Sequence, residues 1–254
     1  FQTPPGAVTR QAVTWALAEG YRLIDTATLY GNEADVGAAA RASGVPREEV
    51  FVTTKLWHSD QGYAAAKRAC RESLERLGLD YVDLYLIHWP RADSPGDRLE
   101  TWRAFEELKD AGLCRAIGVS NYTIRHLEEL ARARTPPAVN QVEFHPFVYD
   151  PELVEYCSTH GIRLEAYSPL TRNRRLDDPT IAEVARTVGR SPAQVLIRWG
   201  LQHGAVEIPK SVHRERIREN ARVFDFELPD AAMARLDALR DRRRVTQLDP
   251  AAIP

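Results

Sequence analysis

Short apolar runs rich in β-branched and aromatic residues alternate along the chain with longer stretches whose apolar positions recur at helical spacing. This is the pattern of repeated strand–helix units. The runs lie at 21–27 (YRLIDTA), 51–57 (FVTTKLW), 81–89 (YVDLYLIHW), 115–121 (RAIGVSN), 138–144 (AVNQVEF), 162–169 (IRLEAYSP) and 205–210 (AVEIPK), giving seven predicted strands. Most are apolar on both faces for part of their length, as suits parallel strands covered by helices outside and packed side chains inside. Helical spacing covers 8–19, 33–41, 62–77, 99–111, 124–133, 151–159, 179–188, 192–203 and 214–223, with a last helix over 231–239 opened by a Pro-Asp pair. Within 62–77, Ala65, Ala69, Leu74 and Leu77 fall near one stripe, the charged residues lie elsewhere, and Gly78 is a natural stop.

Seven strands are one short of the eight that close a parallel barrel, and an open gap exposes unpaired backbone. The first helix begins near Val8 after only FQTPPG, and the chain opens with Phe1. The expectation is therefore an α/β (β/α)8 TIM barrel, one domain over residues 1–254, whose first strand is missing from the N-terminus of this sequence. A length of 254 residues suits such a barrel, and no linker or repeat marks a second domain.

Composition narrows the function classes. With 34 basic against 36 acidic side chains the net charge is −2, which argues against a nucleic-acid partner. No apolar stretch is long enough for a membrane span and the N-terminus lacks signal-peptide character, so a cytoplasmic protein without a membrane partner is expected. A small-molecule substrate and a monomer are the accompanying expectations, although nothing in the sequence fixes the oligomeric state. Cys70, Cys114 and Cys157 are far apart, without zinc or redox spacing, and are expected to be buried free thiols; no metal site is expected. Neither G-x-G-x-x-G nor G-x-x-x-x-G-K occurs, which disfavours Rossmann and P-loop domains.

Four polar residues stand at the C-terminal ends of three successive predicted strands: Asp25 and Tyr30, then Lys55, then His88. In a parallel barrel these ends converge on one face. Each has a plainer reading, as a helix cap, a half-buried aromatic, a solvated strand end and a satisfied core histidine. Burying an ionisable residue among apolar neighbours is nevertheless costly without a partner, and both Lys55 and His88 are flanked in this way. A phenol beside an ammonium becomes a better proton donor, a carboxylate holds the ammonium in place, and an imidazole donates to a substrate oxygen. Together the four would polarise a carbonyl and protonate the developing alkoxide.

The strings GYRLIDTATLYGNE, TTKLW, DLYLIHWP, IGVSN, NQVEFHP, YSPL and IPKSVHRERIREN resemble, in order and spacing, those of the aldo-keto reductases. The resemblance implies a barrel that binds NADPH without a Rossmann domain, with Asp25, Tyr30, Lys55 and His88 as catalytic tetrad and Tyr30 as general acid in reducing an aldehyde or ketone. It also implies that Ser120, Asn121 and Gln141 hold the nicotinamide carboxamide, Tyr167 stacks on the ring, and Ser168 and Leu170 meet the pyrophosphate. Lys210, Ser211, Val212 and Arg216 match the 2′-phosphate pocket, and Glu219 and Asn220 the adenine contacts, within a cofactor segment at 205–225. The residues themselves agree at one point: a strand end followed by Lys210 and Ser211, then a helix start with Arg214 and Arg216, offers cations and backbone donors to an anion, unless these are only solvated basic residues.

By the same resemblance Phe1, Leu29, Trp57 and Trp89 line an apolar substrate pocket, although the tryptophans taken alone would be barrel packing. Thr171 stands where a glycine often follows the YSPL-like string, the tail after Leu239 is short, and Arg172, Arg174 and Arg175 either embrace the pyrophosphate or form a solvated loop. Two other classes remain open: an NADPH-binding sensor or accessory subunit of the same fold, and a barrel isomerase or aldolase using Lys55.

Overall fold

The computed structural model describes residues 3–91, 95–246 and 248–254, with backbone alone for 95–97. Its strands are β1 (Leu23–Asp25), β2 (Phe51–Leu56), β3 (Val82–Ile87), β4 (Cys114–Ser120), β5 (Val139–Glu143), β6 (Arg163–Tyr167) and β7 (Val206–Glu207). They form one sheet in sequence order, every neighbouring pair parallel. This is the expected α/β architecture, seven strands of a (β/α)8 barrel with β1 and β7 at the two edges.

The helices are α1 (Ala7–Ala18), α2 (Glu33–Ala42), α3 (Tyr63–Leu77), α4 (Pro95–Asp110), α5 (Ile124–Glu129), α6 (Pro151–Thr159), α7 (Pro179–Val188), α8 (Pro192–Gln202), α9 (Arg214–Ala221) and α10 (Asp230–Asp237). In α3 the buried face is Ala66, Ala69, Cys70, Ser73, Leu74 and Leu77, a stripe at i, i+3, i+4 spacing, and Gly78 ends the helix in the left-handed conformation. The stripe thus runs through Ala66 in place of Ala65. All three cysteines are buried free thiols. Among the described residues no helix is long and apolar enough to cross a membrane.

Core packing comes from the outward strand residues against the helices, with Tyr85 stacked on Phe105 (ring centres 4.6 Å apart) and Phe144 on Trp199 (4.9 Å). Charged residues in the strands have dedicated partners. Asp83 of β3 takes the Val52 amide at 2.9 Å and the guanidinium of Arg47 at 2.9 Å. Glu207 of β7 is the exception: both carboxyl oxygens are buried without a hydrogen-bond partner among the described residues, and burial pushes the acid well above the usual carboxylate range. It fits only because its neighbour on α8 is Gly200, where an added Cβ would lie 1.6 Å from Glu207 Oε1.

The tail beyond α10 folds back over the strand ends. The Asp241 and Arg242 amides donate to Phe147 O at 3.1 and 2.8 Å. The Val245 amide donates to Glu143 Oε1 at 2.6 Å and the Thr246 amide to Glu143 Oε2 at 3.2 Å. Burial opposes the charge on Glu143, but hydrogen bonds from His145, Thr246 and the Val245 amide bring its carboxyl down to about 2. Farther on, Arg125 donates to Ile253 O, and the buried Arg98 donates to Pro254 O at 3.1 Å.

Candidate active site

A cavity of about 1320 Å³ takes in the C-terminal strand ends and extends along α1, past Thr9, Val13 and Ala16, and to Glu219 and Asn220 of α9. Barrels of this class place their chemistry at that face. Asp25, the last residue of β1, and Tyr30, in a short 3-10 turn just after it, line its base with His88, which follows β3. Lys55 stands behind them on β2 with no exposed surface. Its ammonium donates to Asp25 Oδ1 and Oδ2 at 2.7 and 2.6 Å and to Thr26 O at 2.8 Å, and lies 5.2 Å from the centre of the Tyr30 ring. The Tyr30 and His88 rings meet edge to face at 5.7 Å. The plainer readings of the four residues give way to one cluster.

One expectation about this cluster changes. Lys55 was expected to make the phenol more acidic, but the Tyr30 hydroxyl is pushed well above 10, by burial first and then by the Asp25 charge, with Arg172 opposing. Asp25 explains this, since it pairs with the ammonium and offsets its field at the phenol. His88 is driven well below 6.5 by burial and by Lys55, so it is a neutral imidazole, with Nδ1 buried and unpartnered among the described residues. The aldolase alternative fares poorly for a related reason: an amine that donates to three acceptors and has no exposed surface is not a free nucleophile.

Asn121, Gln141, Tyr167, Ser168 and Leu170 all lie on the cavity wall next to this base. Tyr167 Oη donates to Asn121 Oδ1 at 2.8 Å, and Asn121 Nδ2 donates to His88 O at 2.9 Å. Ser120 differs: it is fully buried, its hydroxyl donates to Gln141 O at 2.8 Å, and it is not on the wall. It reaches the site through Asn121, whose Nδ2 it accepts at 3.1 Å. At the far end Lys210, Ser211, Val212, Arg216, Glu219 and Asn220 line the same cavity. Neighbouring arginines are paired, Arg214 and Arg218 both with Glu19, whereas Lys210 and Arg216 have no carboxylate partner among the described residues. Two unpaired cations on a cavity wall fit an anionic group.

Around the mouth stand Leu29, Trp57 and Trp89, with Trp57 edge-on to His88 at 5.2 Å; Phe1 lies outside the described residues. In the loop after β6, Thr171, Arg172 and Asn173 are all left-handed (φ 51°, 52° and 61°), which accounts for a glycine being comfortable at position 171. Arg172 and Arg174 line the cavity, while Arg175 pairs with Asp241 at 2.7 Å and lies over Phe147, a structural role. Sequence reasoning missed Glu165, a buried acid in β6 whose signal was a charge inside the run IRLEAYSP. It also missed Thr246 and Leu248, which the folded tail brings to the wall.

A polar cluster at the base of a barrel-end cavity, with a cationic far wall, is the layout of an enzyme that holds a long anionic cofactor above a reacting centre. The Aldo/keto reductase family model matches residues 6–241. The chain is 50% identical over 246 residues to the glyoxal reductase of Bacillus subtilis (strain 168), covering 96% of this chain and 88% of that protein. Its fold matches an aldo-keto reductase from a Medee basin deep-sea metagenome library with a TM-score of 0.93 at 43% identity, over 97% of this chain and 92% of that one. It also matches the Bombyx mori aldo-keto reductase in complex with NADP, with a TM-score of 0.90 at 38% identity, over 98% and 89% of the two chains. The chain belongs to the aldo/keto reductase family of oxidoreductases.

Proposed function

We propose that the protein reduces aldehydes or ketones to alcohols with NADPH, Tyr30 acting as the general acid. The observation that carries this reading is the single cluster of Asp25, Lys55, Tyr30 and His88 at the cavity base. Bound NADPH supplies the hydride for the substrate carbonyl carbon. Tyr30 holds its proton throughout the neutral range, because burial raises the phenol above 10, and releases it to the much more basic oxygen that forms as the carbonyl is reduced. Lys55, fixed by Asp25, stands 5.2 Å from the ring that is left negatively charged. His88, neutral, donates a hydrogen bond to the carbonyl oxygen and aligns it with the phenol. Lys210 and Arg216 are the residues to clamp the 2′-phosphate, with Asn121, Gln141 and Tyr167 around the nicotinamide and Ser168 and Leu170 along the pyrophosphate. The Bombyx mori neighbour in complex with NADP supports the cofactor, and the name of the Bacillus subtilis relative makes glyoxal a natural first substrate to assay.

The test is Tyr30→Phe, which deletes the proton and no cofactor contact. Its kcat should fall by about 10²-fold or more, with the Kd for NADPH unchanged. Retention of more than about a tenth of wild-type kcat would refute Tyr30 as the acid. Absence of NADPH oxidation by the wild type across an aldehyde and ketone panel would instead favour a binding module.

A further inference from the structure

The β5–β6 register sets Gln141 beside Glu165, and the two side chains meet inside the barrel. Gln141 Nε2 donates to Glu165 Oε1 at 2.6 Å and to Asp25 Oδ2 at 2.8 Å. The direction toward Asp25 is fixed by chemistry, since a carboxylate only accepts and the amide must present its nitrogen there, and the second hydrogen of that same nitrogen falls to Glu165. A side-chain amide has two N–H groups, and both are now engaged. The remaining polar atom of Gln141 is its carbonyl oxygen, on a side chain that lines the cavity.

We propose that Glu165 is a positioning residue for the nicotinamide site, acting through Gln141: with Asp25 it takes up both amide hydrogens and leaves the carbonyl oxygen to accept from the cofactor carboxamide. This rests on NADP(H) occupying the cavity as proposed. Glu165 does not touch the cofactor itself. The arrangement also links that site to the base of the cavity, because Asp25 holds Gln141 and Lys55 at once.

The groups facing Glu165 are Asp25 from β1, Lys55 from β2 and Gln141 from β5. On β7 its register partner is the apolar Val206, and Glu207 turns the other way, toward Gly200 of α8. Burial, and then the Asp25 charge, push the Glu165 carboxyl up to about 7, against the pull of Lys55 and the Gln141 hydrogen bond. Glu165 accepts from Gln141 in either state, but above that range it adds a negative charge behind the nicotinamide site. Oxidised nicotinamide is cationic and reduced nicotinamide is neutral, so this charge favours NADP⁺ over NADPH as pH rises.

The experiment compares wild type, Glu165→Gln and Glu165→Leu. Kd values for NADP⁺ and NADPH are taken from tryptophan quenching between pH 5.5 and 8.5, and the Gln141 side-chain amide resonances are followed in the cofactor-free protein. Glu165→Leu should shift those resonances and weaken both cofactors about three- to tenfold, the worth of one hydrogen bond. Glu165→Gln, which keeps the acceptor, should bind as the wild type does near pH 6 but lose the pH dependence of the NADP⁺/NADPH affinity ratio. Unshifted amide resonances in Glu165→Leu, or a pH-dependent ratio that survives in Glu165→Gln, would overturn the proposal. Wild-type turnover measured alongside separates the readings, since an absence of NADPH oxidation across the carbonyl panel would sink the reductase assignment and leave these binding results standing.

Discussion

Replacing Lys55 by Met should destabilise the cofactor-free protein far more than the loss of one surface ion pair. The ammonium has no exposed surface, and the Asp25 side chain is only 12% exposed, so deleting the cation strands a carboxylate in a largely dry site. That carboxylate would share Gln141 with a second acid, Glu165, whose negative charge adds to the penalty as pH rises. Breaking a buried pair from one side costs about 3–5 kcal/mol, against about 0–1 kcal/mol for an exposed pair. At about 2–4 °C per kcal/mol for a chain of this size, the Tm should fall by roughly 6–20 °C. Adding Asp25→Asn to Lys55→Met removes the stranded charge and should recover a substantial part of the loss. Urea unfolding followed by the fluorescence of the five tryptophans measures both variants, without cofactor so that ligand linkage does not enter. A loss below about 1 kcal/mol for Lys55→Met, or a double variant no more stable than the single one, would refute the reasoning.

Arg216→Ala should weaken NADPH binding by roughly ten- to a hundredfold, the worth of a charged hydrogen bond, and leave NADH nearly unchanged; equal weakening of both would assign Arg216 to the adenine pocket or the fold. The pH profile of kcat for carbonyl reduction should show no limb from His88 near 6.5, because His88 is already neutral there, and should fall only above the ordinary phenol value of 10 as Tyr30 loses its proton; a limb between pH 6 and 7 that disappears in His88→Gln would contradict this. Glu207 should make stability fall with pH. Its folded pKa lies above the unfolded value, so its contribution is intact below about 4.5 and is lost as pH rises toward the folded value. Glu207→Gln should therefore raise the Tm at pH 8 and change it little near pH 4.5, and an equal effect at both would exclude a titrating Glu207.

Local chemistry made much of this molecule legible in its sequence. The helix over 151–159 has the predicted bounds because Pro151 suits a first turn and Gly161 follows its end. The start of α4 was placed four residues late, since Pro95 in a first turn is as natural a beginning as Leu99. The segment 124–133 leaves the helical path after Glu129, and β1 keeps only three residues, the limits there being set by neighbours. In the site, Lys55 and His88 stood out as ionisable residues within apolar runs. The direction of the Tyr30 shift did not, because it depends first on how completely the folded chain buries the phenol and then on the Asp25 charge beside it. The Gln141–Glu165 bond depends on the register of β5 against β6 and on β1 curving round to meet them, and no single stretch of sequence carries that information.

The tail that crosses the cavity mouth is secured mainly through its own main chain: the amides of Asp241, Arg242, Val245 and Thr246 and the carbonyls of Ile253 and Pro254 are the groups the barrel grips. Fixed side chains of the barrel, Glu143, Arg98 and Arg125, supply most of the grip. The path of the tail is thus set largely by its main chain, and the side chains it does depend on are Asp241 on Arg175, the Thr246 hydroxyl on Glu143, and the buried Val245 and Ile253. Leu248, which faces the cavity and is 45% exposed, is the position that can be exchanged for larger, smaller or charged residues while the strap keeps its course, whereas the Thr246 hydroxyl is held by Glu143. A directed library at this position would vary the cavity wall without touching Tyr30, Lys55, Lys210 or Arg216.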